Sequence, residues 1–401
     1  MPYLNQPTSG RIPRAATVAL AGLTGLALTM GVGRFAFTPL LPLMQSDDGV
    51  SITQGGLLAA ANYLGYLLGA LAALGVNART SSVIRSSLVV NAGATLAMGL
   101  THQFAAWSVW RGLAGFASAF LFVFISAACL QQLAPARRPM LNATVFAGVG
   151  AGIFAVGALT LVLHKLGFSS SKIWIALGVG SAGVGVLLFP VFRDSTAPAP
   201  AARSTSAAAH VQPWRLVLCY GFFGFGYIIP ATFLPAMAKA TAGGSWAFGL
   251  SWPVFGLAAF ASTFAAARLA KTQPVLRTWR AAQVIMAIGV ALPAITTHIA
   301  SIIAAACCVG GTFMVVTMLG IETARASSVQ PRKLIAAMTA AFAAGQLAGP
   351  LAVSGLVESG AGFGHALLLS AAALLIGITL LTQTRVPRES TKLQSRKPYS
   401  L

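Results

Sequence analysis

The chain has 401 residues, of which 57% are hydrophobic and only 8% charged, with a mean hydropathy of +0.80. A water-soluble domain of that size needs far more charge on its surface, so composition excludes one. The formal charge of +20 would suit nucleic acid, but the basic residues gather in short loops between apolar runs, where they report membrane topology instead.

Residues 1–14 are polar, and the apolar run behind them is too long for a signal-peptide core, so no cleaved targeting segment is expected. Twelve apolar runs follow, each near the roughly 20 residues that cross a bilayer core. They lie at 15–44, 53–76, 83–101, 105–133, 139–163, 173–192, 214–238, 246–270, 278–297, 301–324, 334–358 and 363–384.

The first span carries Arg34, the sole charge between Ala15 and Ser46, within Gly31-Val-Gly-Arg-Phe-Ala-Phe-Thr-Pro-Leu-Leu-Pro-Leu-Met44. A guanidinium keeps its charge, and taking it into hydrocarbon costs roughly 3 kcal/mol on insertion scales. Arg34 is therefore expected inside a central cavity as an anion-binding or salt-bridging cation. The alternative is a structural Arg bonded to helix-end carbonyls of the opposite half. Past the first span, Asp47 and Asp48 read as loop acids.

The second span carries Asn62, Tyr63 and Tyr66 in an otherwise apolar helix. Asn62 and Tyr66 share a face and Tyr63 lies one residue round. They suit hydrogen bonding to a substrate, and equally suit the joining of helices. In the fourth span Arg111 lies about two turns from the end, within snorkelling reach of headgroups, with Trp107 and Trp110 beside it as interface anchors. The fifth span holds Gly148, Gly150, Gly152 and Gly157, which permit close helix approach. In the sixth, Gly178-Val-Gly-Ser-Ala-Gly183 matches a dinucleotide-binding pattern by accident, without a strand before it or an acid after it.

Residues 193–212, rich in Ala, Pro and Ser, read as a linker between an N-terminal six-helix unit (1–192) and a C-terminal one with a basic tail (213–401). The two units repeat. Gly31, Gly33, Leu41, Pro42 and Met44 fall on Gly224, Gly226, Leu234, Pro235 and Met237, and Arg34 falls on Tyr227, at an offset of 193 residues. Parallel repeats of this kind place a substrate site near midplane between the halves. Arg34, Asn62, Tyr63, Tyr66 and Tyr227 are the residues expected to bind substrate there. A charged group facing a neutral polar one suits a ligand with an anionic end.

In the tenth span Glu322 precedes Arg325 by three residues, the spacing of a local ion pair, and Glu358 closes the eleventh. Of the Lys and Arg outside the spans, only Lys165, Lys172 and Lys239 fall on one side; the rest, from Arg11 and Arg14 to Arg396 and Lys397, fall on the other. That asymmetry puts both termini in the cytoplasm of a multi-pass protein of the bacterial inner membrane. Cys129, Cys219, Cys307 and Cys308 lie in spans without metal-ligand spacing, and no His pairs with a Cys or carboxylate at ligand spacing in the sequence. No metal site, cofactor or nucleophile–base pair is expected, and so no enzyme.

Through "GVGRFAFTPLLPLM" (31–44), "AAANYLGYLLGAL" (59–71) and "YGFFGFGYIIPATFLPAM" (220–237) the chain resembles the YbfB/YjiJ-type branch of the major facilitator superfamily. The resemblance implies twelve helices in two six-helix bundles related by a pseudo-two-fold, and a transport function. Arg111 with Gly115 is similar to that superfamily's fourth-span motif, in which the Arg is linked to proton coupling or substrate charge. The loop "GVNARTSSVIR" (75–85) keeps Arg79 and Arg85 but lacks the usual Asp. Proton-coupled relatives use an intramembrane acid, for which Glu322 is the candidate here beside Arg111. The expectation is a monomeric secondary transporter, embedded in lipid, that moves a small organic anion, with a proton as the candidate partner ion. The alternative is a proton-coupled exporter of amphipathic or cationic compounds.

Overall fold

The computed structural model describes residues 15–192 and 211–381, apart from 74, 77, 137, 243–248, 270–271, 329–330 and 361. Residues 193–210 of the expected linker and the basic tail beyond 381 lie outside the described residues. Twelve helices are long and apolar enough to cross a membrane: α1 (Ala15–Asp47), α2 (Ile52–Ala73), α3 (Thr80–Leu100), α4 (Phe104–Leu133), α5 (Pro139–Lys165), α6 (Ser170–Leu188), α7 (Pro213–Ala242), α8 (Ser251–Leu269), α9 (Val275–Ile295), α10 (Ile299–Ser327), α11 (Pro331–Glu358) and α12 (Gly362–Leu380). Proline at the first position opens α5, α7 and α11, where its missing N–H leaves no helical bond unmade. The expected boundaries hold to within a few residues; the largest departure is α8, expected from 246 and beginning at Ser251.

The helices form two bundles with matching internal packing. In the first, α1 packs on α5, α2 on α4, and α3 on α4 and α6; in the second, α7 packs on α11, α8 on α10, and α9 on α10 and α12. The bundles meet through α5 with α8, α2 with α11, and α1 with α7. Each pairing has its image at an offset close to 193 residues. The α1–α5 contact brings Gly31 against the backbone of Gly152, and the α7–α11 contact brings Gly224 and Gly345 together at the repeated positions.

Two contacts join a residue to its own repeat image. Thr38 Oγ1 donates to Ala231 O at 3.0 Å, and Lys239 Nζ donates to Ser46 Oγ. Only residues beside a two-fold axis can touch their images, so α1 and α7 flank the axis.

The bundles are held together at one end and part at the other. Call the end where α1 begins and α12 finishes basal, and its opposite apical. The bridging contacts lie from the middle upward: Thr38 to Ala231, Tyr63 OH with Thr232 Oγ1 at 3.0 Å, Lys239 Nζ to Pro42 O at 2.6 Å, and Gly56, where a Cβ would stand 3.1 Å from Pro350 O of α11. Toward the basal end a cleft opens between the bundles. Its wall there includes Ile321 near the end of α10 and Ile335, Met338 and Thr339 near the start of α11.

The two acids expected in a loop do structural work instead. Asp47 ends α1, and its Oδ2 accepts the backbone N–H of Ser170 at 2.7 Å. Asp48 Oδ2 accepts the Ser170 hydroxyl at 3.0 Å. Both carboxylates therefore sit at the N-terminus of α6, where helix dipole and unpaired N–H groups favour negative charge.

Candidate functional site

The site is built on a fault in α1. Around residues 27–36 the backbone hydrogen bonds reach back five residues rather than four: Gly33 N donates to Leu28 O at 3.2 Å, and Phe35 N to Met30 O at 2.9 Å. A widened turn of this kind leaves carbonyls without helical partners, and in a bilayer interior they must find others. Gly33 O accepts Asn62 Nδ2 at 3.3 Å, and Arg34 O accepts Arg111 Nη2 at 3.2 Å. Asn62 Nδ2 also donates to Arg111 O at 2.8 Å. Side chains of α2 and α4 thus replace the missing helical bonds of α1 and fix the turn that carries Arg34.

Two sequence expectations change here. Arg111 does not snorkel: it is 2% exposed, turned inward to α1, with Cζ 4.8 Å from the Phe37 ring centroid. The length of helix left before the apical end says nothing about which way a side chain turns, and the orphan carbonyl of Arg34 lies inward. Trp107 is likewise no interface anchor. It is buried, and its indole N–H donates to Met98 O at 3.1 Å and Thr101 O at 2.8 Å, closing the end of α3.

Arg34 itself is 2% exposed and lines the blind end of the cleft. Its Nη2 donates to Gln346 Oε1 on α11, and Gln346 Nε2 donates to the Tyr227 hydroxyl on α7. This chain of bonds runs from the first bundle into the second. The guanidinium lies 4.0 Å from the Tyr66 ring centroid, 5.3 Å from Phe35 and 5.5 Å from Tyr63, so ring faces supply part of what water has lost. Its Nε is buried without a hydrogen-bond partner, and among the described residues no carboxylate pairs with it.

The empty space between the walls of the cleft, with the solvent at its mouth, amounts to about 670 Å³. Beyond Arg34, Tyr66 and Tyr227 its wall is aromatic and thioether: Phe35, Phe122, Tyr220, Phe313 and Phe342, with Met30, Met314 and Met338. Tyr227 lies nearly parallel to Phe313 (5.7 Å between centroids, 2°) and to Phe342 (5.5 Å, 10°). The wall hydroxyls are turned to backbone: Tyr220 OH donates to Thr317 O at 3.0 Å, Thr317 Oγ1 to Phe313 O at 2.8 Å, and Thr339 Oγ1 to Ile335 O at 2.8 Å.

Of the five residues expected to bind substrate, the structure brings Arg34, Tyr66 and Tyr227 to the cleft. Asn62 and Tyr63 do not line it. Asn62 serves the backbone of α1 and α4, and Tyr63 binds Thr232 on the apical side. Glu322 is exposed beside the wall residue Ile321 and does not line the cleft; the side chain of Arg325 lies outside the described residues. Gln346 was missed from sequence, as were Phe313 and Phe342. A signal existed, since Gln346 follows Gly345, the repeat image of Gly152, and that register sets it against α7.

A family model described as uncharacterised MFS-type transporter YbfB matches residues 26–382, from α1 to the close of α12. No curated protein sequence matches the chain. Among solved structures, a bacterial homolog of the human lysosomal transporter Spinster, in an inward-facing and unoccupied conformation, aligns with a TM-score of 0.67. It covers 92% of this chain and 96% of that one at 14% identity, a likeness of fold. By the extent of the family match, which takes in all twelve helices, the chain belongs to the YbfB-type family of MFS transporters.

Proposed function

We propose that the protein is a secondary active transporter that carries a small organic anion through an alternating-access cycle centred on Arg34. The observation that carries this reading is a buried guanidinium at the blind end of an open cleft with, among the described residues, no carboxylate to answer it. A buried charge without its counter-charge is costly by several kcal/mol, and an arriving anion would offset that cost. The bond chain from Arg34 through Gln346 to Tyr227 supports the same reading, because a ligand that disturbs it acts on both bundles at once. The positive-inside asymmetry makes the basal end cytoplasmic, so the cleft of this conformer opens inward.

The competing reading is a proton-coupled exporter of amphipathic or cationic compounds, and for a cationic cargo the cleft lacks the essential group. A cation bound beside Arg34 would need a nearby carboxylate, and among the described residues none lines the cleft. Neither coupling candidate lines it either: Arg111 is engaged with the α1 backbone, and Glu322 lies outside the wall.

A melting-temperature screen of the purified protein against organic carboxylates tests the reading, since a ligand of the folded state raises the transition. Wild type should be stabilised by at least one anion. Arg34→Gln should weaken that binding by the worth of a charge-assisted hydrogen bond, about 1.5–3 kcal/mol, roughly ten- to hundredfold. Arg34→Lys should retain part of it. Undiminished anion binding by Arg34→Gln would remove the assignment.

A further inference from the structure

The cleft also limits what the anion can be. We infer that the substrate is a monocarboxylate with a flat, ring-bearing apolar body, its carboxylate at Arg34 and its ring between the aromatic walls. The inference rests on the anion reading above and goes beyond it to a substrate class.

Three observations carry it. First, cationic charge is confined to one point. Among the described residues Arg34 is the one cation lining the cleft, and the other buried guanidinium, Arg111, is turned away to Arg34 O. A dianion or phosphate ester would bring a second charge into a wall with nothing to meet it, and burying an unpaired charge is heavily penalised.

Second, hydrogen-bond donors are confined to the blind end. A hydroxyl has one hydrogen to give. Those of Tyr220, Thr317 and Thr339 are already given to backbone carbonyls. At the blind end Arg34 Nε has no partner, and the Tyr227 hydroxyl accepts from Gln346 with its own hydrogen still available. The distribution fits one carboxylate, and along the wall it offers a sugar acid's hydroxyls acceptors but no free donor.

Third, the wall is of the kind that takes rings. The near-parallel set of Phe313, Tyr227 and Phe342 supplies a ring-rich wall, and Met30, Met314 and Met338 complete it with unbranched, polarizable side chains that adapt to an apolar body.

Binding of four probes to the purified full-length protein tests this: 2-naphthoate, succinate, gluconate, and 2-naphthalenemethanol, which keeps the ring body and lacks the charge. The expected result is 2-naphthoate at least about tenfold tighter than each of the others. Phe342→Leu, which keeps apolar bulk but removes the ring, should weaken 2-naphthoate by about tenfold, the upper range of an aromatic pair contact. Succinate or gluconate binding tighter than 2-naphthoate, and still lost in Arg34→Gln, would overturn the substrate class and leave the anion reading in place. The alcohol binding as well as the acid, indifferent to Arg34→Gln, would overturn both. No binding of 2-naphthoate overturns the inference whatever else binds.

Discussion

Asn62 occupies an apolar helix face, yet its amide gives both hydrogens to backbone carbonyls, of Gly33 and of Arg111. It acts on the site through the turn that carries Arg34. Replacing it with Leu leaves those two acceptors buried and short of a partner, at about 1–3 kcal/mol for each unsatisfied group. Asn62→Leu should therefore lower the melting temperature and weaken carboxylate binding together, although Asn62 lines no part of the cleft. Calorimetry on the variant with a bound and an unbound sample checks this; an unchanged affinity would leave Asn62 a mere spacer. What sequence made legible at this scale was charge. Arg34 stood out because hydrocarbon tolerates so few charged groups, and its repeat image Tyr227 followed from register. Gln346 was hidden because its bond to Arg34 spans 312 residues and depends on how the bundles meet. The inward turn of Arg111 was hidden for a related reason: it answers a carbonyl freed by a fault in another helix.

At the scale of elements, helix positions were legible to within about five residues, because a bilayer requires each span to satisfy its own backbone and so ties span length to apolar length. The fault in α1 was not legible. No proline lies between Ala27 and Ala36, and the widened turn depends on Asn62 and Arg111 arriving from other helices. Glycine content alone likewise failed to separate contact from accident. Gly152 lies with the position of a Cβ 2.7 Å from Ala27 Cα, a backbone atom that cannot move aside, while Gly180 has nothing within 4 Å. Gly152→Val should consequently abolish the monodisperse folded protein on size-exclusion chromatography. Gly180→Ala, in the chance G-x-G-x-x-G run of α6, should be tolerated or stabilising by roughly 0.5–1 kcal/mol, the helical preference for Ala over Gly. Equal behaviour of the two variants would refute the packing account of the α1–α5 seam.

For the whole molecule, the matching of α1–α5 with α7–α11 and of α5–α8 with α2–α11 means that opening one end and closing the other can be nearly rigid motions of similar bundles. The apical end is closed by few polar contacts: Lys239 to Pro42 O and Ser46, Tyr63 to Thr232, and Thr38 to Ala231. Polar bonds between helices in a membrane contribute about 0.6 kcal/mol on average and about 1.7 at most. Removing the three made by Tyr63 and Lys239 should favour apical opening by about 2 kcal/mol at that average, a roughly thirtyfold change in the ratio of the two states. Spin labels at Ser51 on one bundle and Ser359 on the other, both exposed at the apical end, read that ratio directly as a distance distribution. In the Tyr63→Phe, Lys239→Met double variant the longer-distance population should grow, and it should grow without loss of fold, since both changes keep the apolar bulk of the side chain. A distribution identical to that of the labelled parent would mean that the apical end is held by the glycine-lined α5–α8 and α2–α11 seams, with the polar contacts following their closure rather than maintaining it.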